Sequence, residues 1–379
     1  MSDMWAAIAS DTSGRLDLER IAIPSPHEGE ILVRVLGSGV CHSDLHVLKD
    51  EVKFPRPAVL GHEVMGEVIT KVDADGNYPE INPGDRIVSS FIMPCRNCER
   101  CRNGQSNICS QFFFHNRLNG NMLDGTKRLV DSMGRELASY SMAGFAEYVV
   151  VPLSAVARLP VTLTQPEWCV LGCAGLTAYS AVMRAIQSRK TSGASWSSAT
   201  IIGLGGVGMF ITLFCKLLGI EQIIAIDLDQ QKLFLAKDLG ATCTIDGSRL
   251  DAAAIRAELP DNGTHLVFEA VGSSQTIELA MNLLLEGGLV TAVGIAAHGK
   301  QASIEITPLV RREFTLKGSF GGIPEEDLRA VISYAEKGQI PVRKLVTRTY
   351  QLSEINDAFT RLSNKETIGR SIVSFPERE

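Results

Sequence analysis

The chain is 379 residues long, 45% hydrophobic and 21% charged, with a formal net charge of −6. Single cores stop growing near ~250–300 residues, so a chain of this length is expected to divide into two domains. The mildly acidic balance, with no long block of like charge, excludes nucleic acid as a partner, and the most apolar stretch, roughly residues 199–226, is interrupted by glycines, Lys216 and Glu221 and is not expected to cross a membrane.

The opening MSDMWAAIASDTSG has neither the basic-then-apolar order of a secretory signal nor the Arg/Ser bias of an organelle presequence, which points to the cytoplasm. In that reducing setting nine cysteines, an odd number, are not expected to form disulfides. The first third alternates apolar and polar residues in short runs, ILVRVLGSGV at 31–40 and EVMGEVITKV at 63–72, with the turn signal NPGD between later runs. It reads as a glycine-rich β domain. Within it, GVCHSDLH gathers Cys41, His42, Ser43, Asp44 and His46, and Leu60-Gly61-His62-Glu63 follows about twenty residues on. Taken alone, these gaps form no specific metal motif, and lone histidines are more often ordinary surface or core groups.

Residues 95–109, CRNCERCRNGQSNIC, carry Cys95, Cys98, Cys101 and Cys109 in the spacing C-x2-C-x2-C-x7-C. Thiolates so spaced can all face one ion at about 2.3 Å per bond, and zinc is the favoured ion. An iron–sulfur run would close with C-x3-C-P, whereas seven residues and then Ser110 stand here. Four sulfurs fill a zinc shell and leave no place for substrate, so this site holds a loop together and does no chemistry. The segment 112–143, mixed in polarity and rich in turn residues, is expected to be a long excursion.

From about residue 199 the pattern changes to apolar runs, ATIIGLGG, QIIAID, THLVFEAVG and GLVTAVGI, separated by helix-length amphipathic segments. Strand and helix in turn predict a parallel sheet covered on both faces. Gly203, Gly205 and Gly208 follow the first strand and open a helix, the spacing that lets a pyrophosphate approach the backbone at a helix N-terminus; Gly206 and Val207 lie inside the same loop. The second strand ends in Asp227, placed to bind ribose hydroxyls and to repel a 2′-phosphate, so NAD is favoured over NADP. Lys232 is a further candidate at the ribose. PEEDLRAVISYAEKG opens with Pro324 and acidic residues as a helix should, and GRSIVSF supplies the last strand.

Taken together, GVCHSDLH, GHE at 61–63, the cysteine lobe, LGCAGLTAY at 171–179, GLGGVG at 203–208 with Asp227, and GRSIV near the end resemble the zinc-dependent alcohol dehydrogenases of the medium-chain dehydrogenase/reductase family over nearly the whole length. The resemblance implies an α/β fold: a GroES-like, β-rich catalytic domain over residues 1–179, a Rossmann coenzyme domain with a doubly wound parallel sheet over 180–319, and a return to the catalytic domain over 320–379. It also implies two zinc ions and one NAD per chain. By the same resemblance Cys41, His62 and Cys173 are the catalytic zinc ligands, the Cys₂His set of alcohol dehydrogenases. Glu63 lies beside the metal, Asp44 is the acceptor that orients His62, and Arg370 meets the cofactor pyrophosphate. Val271, Val293 and Ile295 approach the cofactor, and Phe91 lines the substrate pocket. Cys169, Cys215 and Cys243 read as buried structural thiols.

One departure is His42, where relatives often carry arginine. If it faces the pyrophosphate, its charge falls as pH rises through the imidazole range, and cofactor affinity falls with it. The implied chemistry is reversible hydride transfer from an alcohol to NAD. The hydroxyl proton passes from Ser43 through the cofactor ribose to His46 and on to water. Medium-length or aromatic alcohols are the expected substrates and a homodimer the expected assembly. Two other readings stand beside this one: reduction of a conjugated double bond by a zinc-containing relative, and a non-catalytic NAD-binding protein.

Overall fold

The computed structural model describes residues 3–73, 76, 78, 80–190, 197–248 and 251–376. Its contacts divide the chain into two compact units, Met1–Leu176 with Ile323–Glu379, and Thr177–Gly322.

The first unit is built around the strand Glu30–Val40, of which all but one residue is buried. It pairs antiparallel with Val64–Val72, Tyr148–Pro152 and Arg370–Ser374, so the chain's last strand closes onto one of its first. With Arg86–Ser89, Val156–Arg158 and Val346–Tyr350 these make a seven-stranded sheet, and a second sheet of five strands includes Asp3–Ala9 and Asp17–Ala22. A strand covered on both faces carries apolar residues without a break, which is why ILVRVLGSGV reads as a run. Glycines are required where that strand meets the site. A Cβ at Gly39 would stand 2.2 Å from a Glu63 carboxylate oxygen, and one at Gly172 would stand 1.7 Å from the Ser89 carbonyl.

The second unit is a six-stranded parallel sheet in the order Cys243–Asp246, Gln222–Asp227, Ser198–Ile202, Thr264–Glu269, Leu284–Ala292, Thr315–Gly318. The strand–helix alternation read from the sequence is thus a doubly wound sheet, with the order reversing beside Ser198–Ile202. Ile202, Ile224, Ile226, Val267 and Val290 pack with Ile255, Ala280 and Met281 into one of its cores. Among the described residues one helical stretch, Pro166–Ser188, is long and apolar enough to cross a membrane, and 78% of its most apolar 18-residue window is buried within the protein. That is the environment of a core helix.

The segment 112–143 is more ordered than its composition suggests. It holds a π-helical turn, Phe113–Leu118, and two short strands, Leu129–Val130 and Glu136–Ser139, the second of which pairs with Ala58–Val59. An ion cluster with a buried Arg128–Glu30 pair and more exposed outer members pins it. Arg128, 8% exposed, donates to both oxygens of Glu30 at 2.8 Å and to Asp124 at 2.7 Å, and His27 meets Asp124 at 3.0 Å. Burial works against Asp124, but the bonds from Arg128 and Thr126 outweigh it and hold the carboxyl below its ordinary range. Its contribution is therefore complete above the unfolded carboxyl value and is lost as pH falls through the depressed one.

Removing one partner of a buried pair leaves an uncompensated charge. Arg128→Ala, which strands Glu30, is expected to destabilise the first unit by about 3–5 kcal/mol, whereas Glu30→Gln with Arg128→Met should cost much less; denaturant melts of the three proteins measure the difference.

Candidate active site

The chain leaves Glu30–Val40 at Cys41, whose extended backbone caps the helix His42–Leu48. Cys41 is thereby fixed at the strand end, with Ser43 and Asp44 in the helix's first turn. Gly61, at φ +95°, turns the chain so that His62 and Glu63 point inward, and Cys173 follows a 3₁₀ segment, Pro166–Gly172. Donor atoms of Cys41, His62, Glu63 and Cys173, all buried, lie within 4.8 Å of one another. Cys173 Sγ is 3.5 Å from His62 Nε2. Ligand atoms around a tetrahedral zinc stand at comparable separations.

His62 presents Nε2 to this cluster because Nδ1 is engaged with Asp44 Oδ1 at 3.0 Å. The same oxygen accepts the Gly61 amide at 2.9 Å, so turn and ring are set by one carboxylate. Burial alone would push the imidazole down, but the charges of Asp44 and Cys41 and the bonds to both raise it well above its ordinary range. The bond from Cys173 pushes the Cys41 thiol far down, and that same bond pushes Cys173 far up. Two thiols and an imidazole are thus buried in contact, a donor set from which a divalent cation would displace the thiol protons on binding. By donor type, distance and electrostatics these residues fit zinc.

Glu63 and Arg370 complete the cluster. Arg370 Nη2 lies 2.9 Å from Glu63 Oε1 without hydrogen-bond alignment, and both side chains are nearly inaccessible. Burial raises Glu63 to about 7 against the pull of Arg370. Glu63 is thus the partner of Arg370, a link that spacing in the sequence could not have suggested. Cys169 is fully buried and pushed well up by burial.

The second group of donors is the cysteine lobe. Cys95, Cys98, Cys101 and Cys109 also converge within 4.8 Å, and all nine cysteines of the chain are free of disulfides. Backbone amides of Cys95 and Phe112 each point at Cys109 Sγ from 3.4 Å, the pattern that stabilises thiolates. Burial opposes the Cys98 thiolate, yet amide and hydroxyl bonds from Cys101 and Ser110 bring it down to about 5, while burial raises Cys101 and Cys109.

In the second unit the glycine loop forms as its spacing predicts. Gly203 takes φ +88°, and a Cβ at Gly208 would lie 1.9 Å from the Gly203 carbonyl, so neither tolerates a side chain. A Cβ at Gly205, the N-cap of Gly206–Leu217, meets nothing within 4 Å, leaving the amides of that helix start open to a phosphate. Asp227 accepts the Leu204 amide at 2.6 Å and the Leu228 amide at 2.7 Å, which ties it to the loop. Lys232 and Val293 are half-buried, and Val271 and Ile295 are exposed.

His46 lies one helical turn beyond Ser43, whose Oγ is 3.8 Å from Cys41 Sγ. Its Nδ1 meets Glu51 at 2.5 Å, a partner the sequence reading did not name. Two rings flank His62 edge-on: Phe91, which the sequence already named, at 5.9 Å, and Tyr140, which it did not, at 5.7 Å. The His42 ring is 6.5 Å from that of His46.

A family model described as an alcohol dehydrogenase GroES-like domain matches residues 27–161, and one described as a zinc-binding dehydrogenase matches 206–337. The chain is 30% identical over 376 residues to S-(hydroxymethyl)glutathione dehydrogenase of Escherichia coli strain SMS-3-5, covering 98% of this chain and 99% of that protein. Among solved structures, an alcohol dehydrogenase zinc-binding domain protein from Burkholderia ambifaria superposes with a TM-score of 0.91 at 28% identity, covering 99% and 100% of the two chains. Benzyl alcohol dehydrogenase from Acinetobacter calcoaceticus does so with a TM-score of 0.87 at 27% identity, with the same coverage.

Purified protein is expected to carry two zinc ions per chain, with Cys98→Ala and Cys173→Ala each losing one by elemental assay. Asp44→Asn, which loosens His62, should weaken the second of these sites about 10–100-fold in chelator competition.

Proposed function

Because the chain belongs to the zinc-dependent alcohol dehydrogenases of the medium-chain dehydrogenase/reductase family, we propose that Cys41, His62 and Cys173 hold its catalytic zinc and that it oxidises aromatic or medium-length primary alcohols with NAD, reversibly. The observation that carries this reading is the buried set of Cys41, His62 and Cys173, whose fourth buried neighbour, Glu63, lies 2.9 Å from Arg370. Three protein ligands leave one place for substrate.

When bound, the zinc acidifies an alcohol hydroxyl and the NAD accepts a hydride. Asp44 keeps His62 in one tautomer and one orientation. Ser43, beside Cys41, takes the hydroxyl proton. Glu51 accepts from His46 Nδ1–H, which leaves Nε2 as the lone pair that receives a proton and returns it to water. With its side chain 23% exposed, His46 has solvent access for that last transfer. Phe91 and Tyr140, both buried against His62, supply apolar contact and exclude water.

Gly203, Gly205, Gly206, Val207 and Gly208 cradle the pyrophosphate, and Asp227 takes the ribose hydroxyls and disfavours a 2′-phosphate. Arg370, 2.9 Å from Glu63, meets the cofactor pyrophosphate. The name of the Acinetobacter enzyme supports an aromatic alcohol, and that of the E. coli relative adds S-(hydroxymethyl)glutathione to the panel to be tried. Thr315–Gly318, exposed throughout at the edge of the six-stranded sheet, is the surface through which two copies pair. Two thiolate-rich metal sites favour the reducing cytoplasm.

Ser43→Ala is expected to lose at least about 100-fold in turnover while zinc content and NAD affinity stay as in the parent. Turnover equal to the parent would remove the relay, and an alcohol panel that yields no NADH from the zinc-replete parent would remove the dehydrogenase reading.

A further inference from the structure

Beside the rings that flank His62 lies a cation that the proposed chemistry does not use. Arg117, in the π-helical turn Phe113–Leu118, places its guanidinium carbon 4.1 Å from the Tyr140 ring, 5.0 Å from Phe112 and 5.9 Å from Phe91. Tyr140 and Phe91 are the same rings that lie 5.7 Å and 5.9 Å from His62. Imidazole and guanidinium therefore border the same two rings. Arg117 is half-buried, and its Nη1 is buried and makes no hydrogen bond.

The turn is held rigidly. Asn116, fully buried, donates to the carbonyls of Ser139 at 2.9 Å and Asn121 at 3.1 Å and accepts from the Ser141 amide at 3.0 Å. It thereby clamps the segment bearing Arg117 to the segment bearing Tyr140. Tyr140 is raised by burial, and both Arg117 and His62 act against that rise, so the ring stands within electrostatic reach of each.

A guanidinium stacked on rings gains from their faces but still has N–H groups to satisfy, and a buried one left unpaired is costly. The group that satisfies a planar fork of donors is a carboxylate, accepted through two parallel bonds. A ligand with its hydroxyl at the zinc beside His62 and its ring along Phe91 and Tyr140 would bring a group on the far side of that ring to Arg117. We infer that Arg117 is the specificity residue of the substrate pocket, selecting alcohols that carry a carboxylate across an aromatic or similarly long spacer from the hydroxyl. This rests on the active site proposed above. The alternative is that Arg117 only packs, its charge spent on three rings.

The test compares 4-(hydroxymethyl)benzoate with benzyl alcohol on the zinc-replete enzyme, by kcat/KM with NAD and by calorimetric binding without it. The wild type is expected to favour the carboxylate in both. Arg117→Met, which keeps the stem on the rings, should lose about tenfold or more for the carboxylate with benzyl alcohol little changed, and Arg117→Lys should recover part of the loss. Equal treatment of the two alcohols by the wild type, or an equal loss for both in Arg117→Met, overturns the assignment. Should Arg117→Met fail to fold, Arg117→Lys and the wild-type comparison decide it. Tight carboxylate binding without turnover of any alcohol would sink the dehydrogenase reading and leave Arg117 standing, whereas oxidation of benzyl alcohol with no preference for the carboxylate would do the reverse.

Discussion

Two thiols, an imidazole and a carboxylate, buried within 4.8 Å of one another, form the constraint on which the first unit depends. Burying the charged forms of Cys41, His62 and Cys173 is costly unless they are paired, and a cation that replaces the thiol protons would offset that cost. The surrounding fold forces the meeting. Cys41 ends the most heavily paired strand, Gly61 turns His62 inward, and Gly39 and Gly172 leave room where a side chain would collide.

The polar groups around that set are arranged in pairs, each freeing a specific atom. Asp44 occupies His62 Nδ1 and leaves Nε2 facing Cys173; Glu51 occupies His46 Nδ1. Arg370 occupies Glu63. Each carboxylate decides what its partner's other atom can do, which is how a site of few residues acquires fixed roles. The excursion 112–143 contributes differently. It is tied down by the Glu30–Arg128–Asp124 cluster and by Asn116, and it brings Arg117 and Tyr140 to the aromatic lining beside His62.

Much of this was legible in the sequence, and for a common reason: where function needs residues close in the chain, spacing records it. The four cysteines of 95–109 and the glycines of 203–208 act through a single loop, so their geometry follows from local backbone rules. Alternation of apolar runs with helix-length segments announced the parallel sheet, because buried parallel strands must be apolar throughout. Cys41, His62 and Cys173 came only from the order of several motifs together, since their separations in sequence obey no local rule.

Long-range pairs were not legible. Glu63 with Arg370 joins residues more than three hundred positions apart, and Glu30 with Arg128 nearly a hundred. The order within 112–143 was hidden because polar, turn-rich composition describes a loop whether or not a buried Asn116 fastens it. Composition, loop motifs and strand patterns are properties of neighbours along the chain, and they settled the fold class and the metal lobe. Which charge faces which carboxylate, and that Arg117 stands against the rings beside His62, depends on how distant segments pack, and packing is an energy of the whole fold that no short stretch contains.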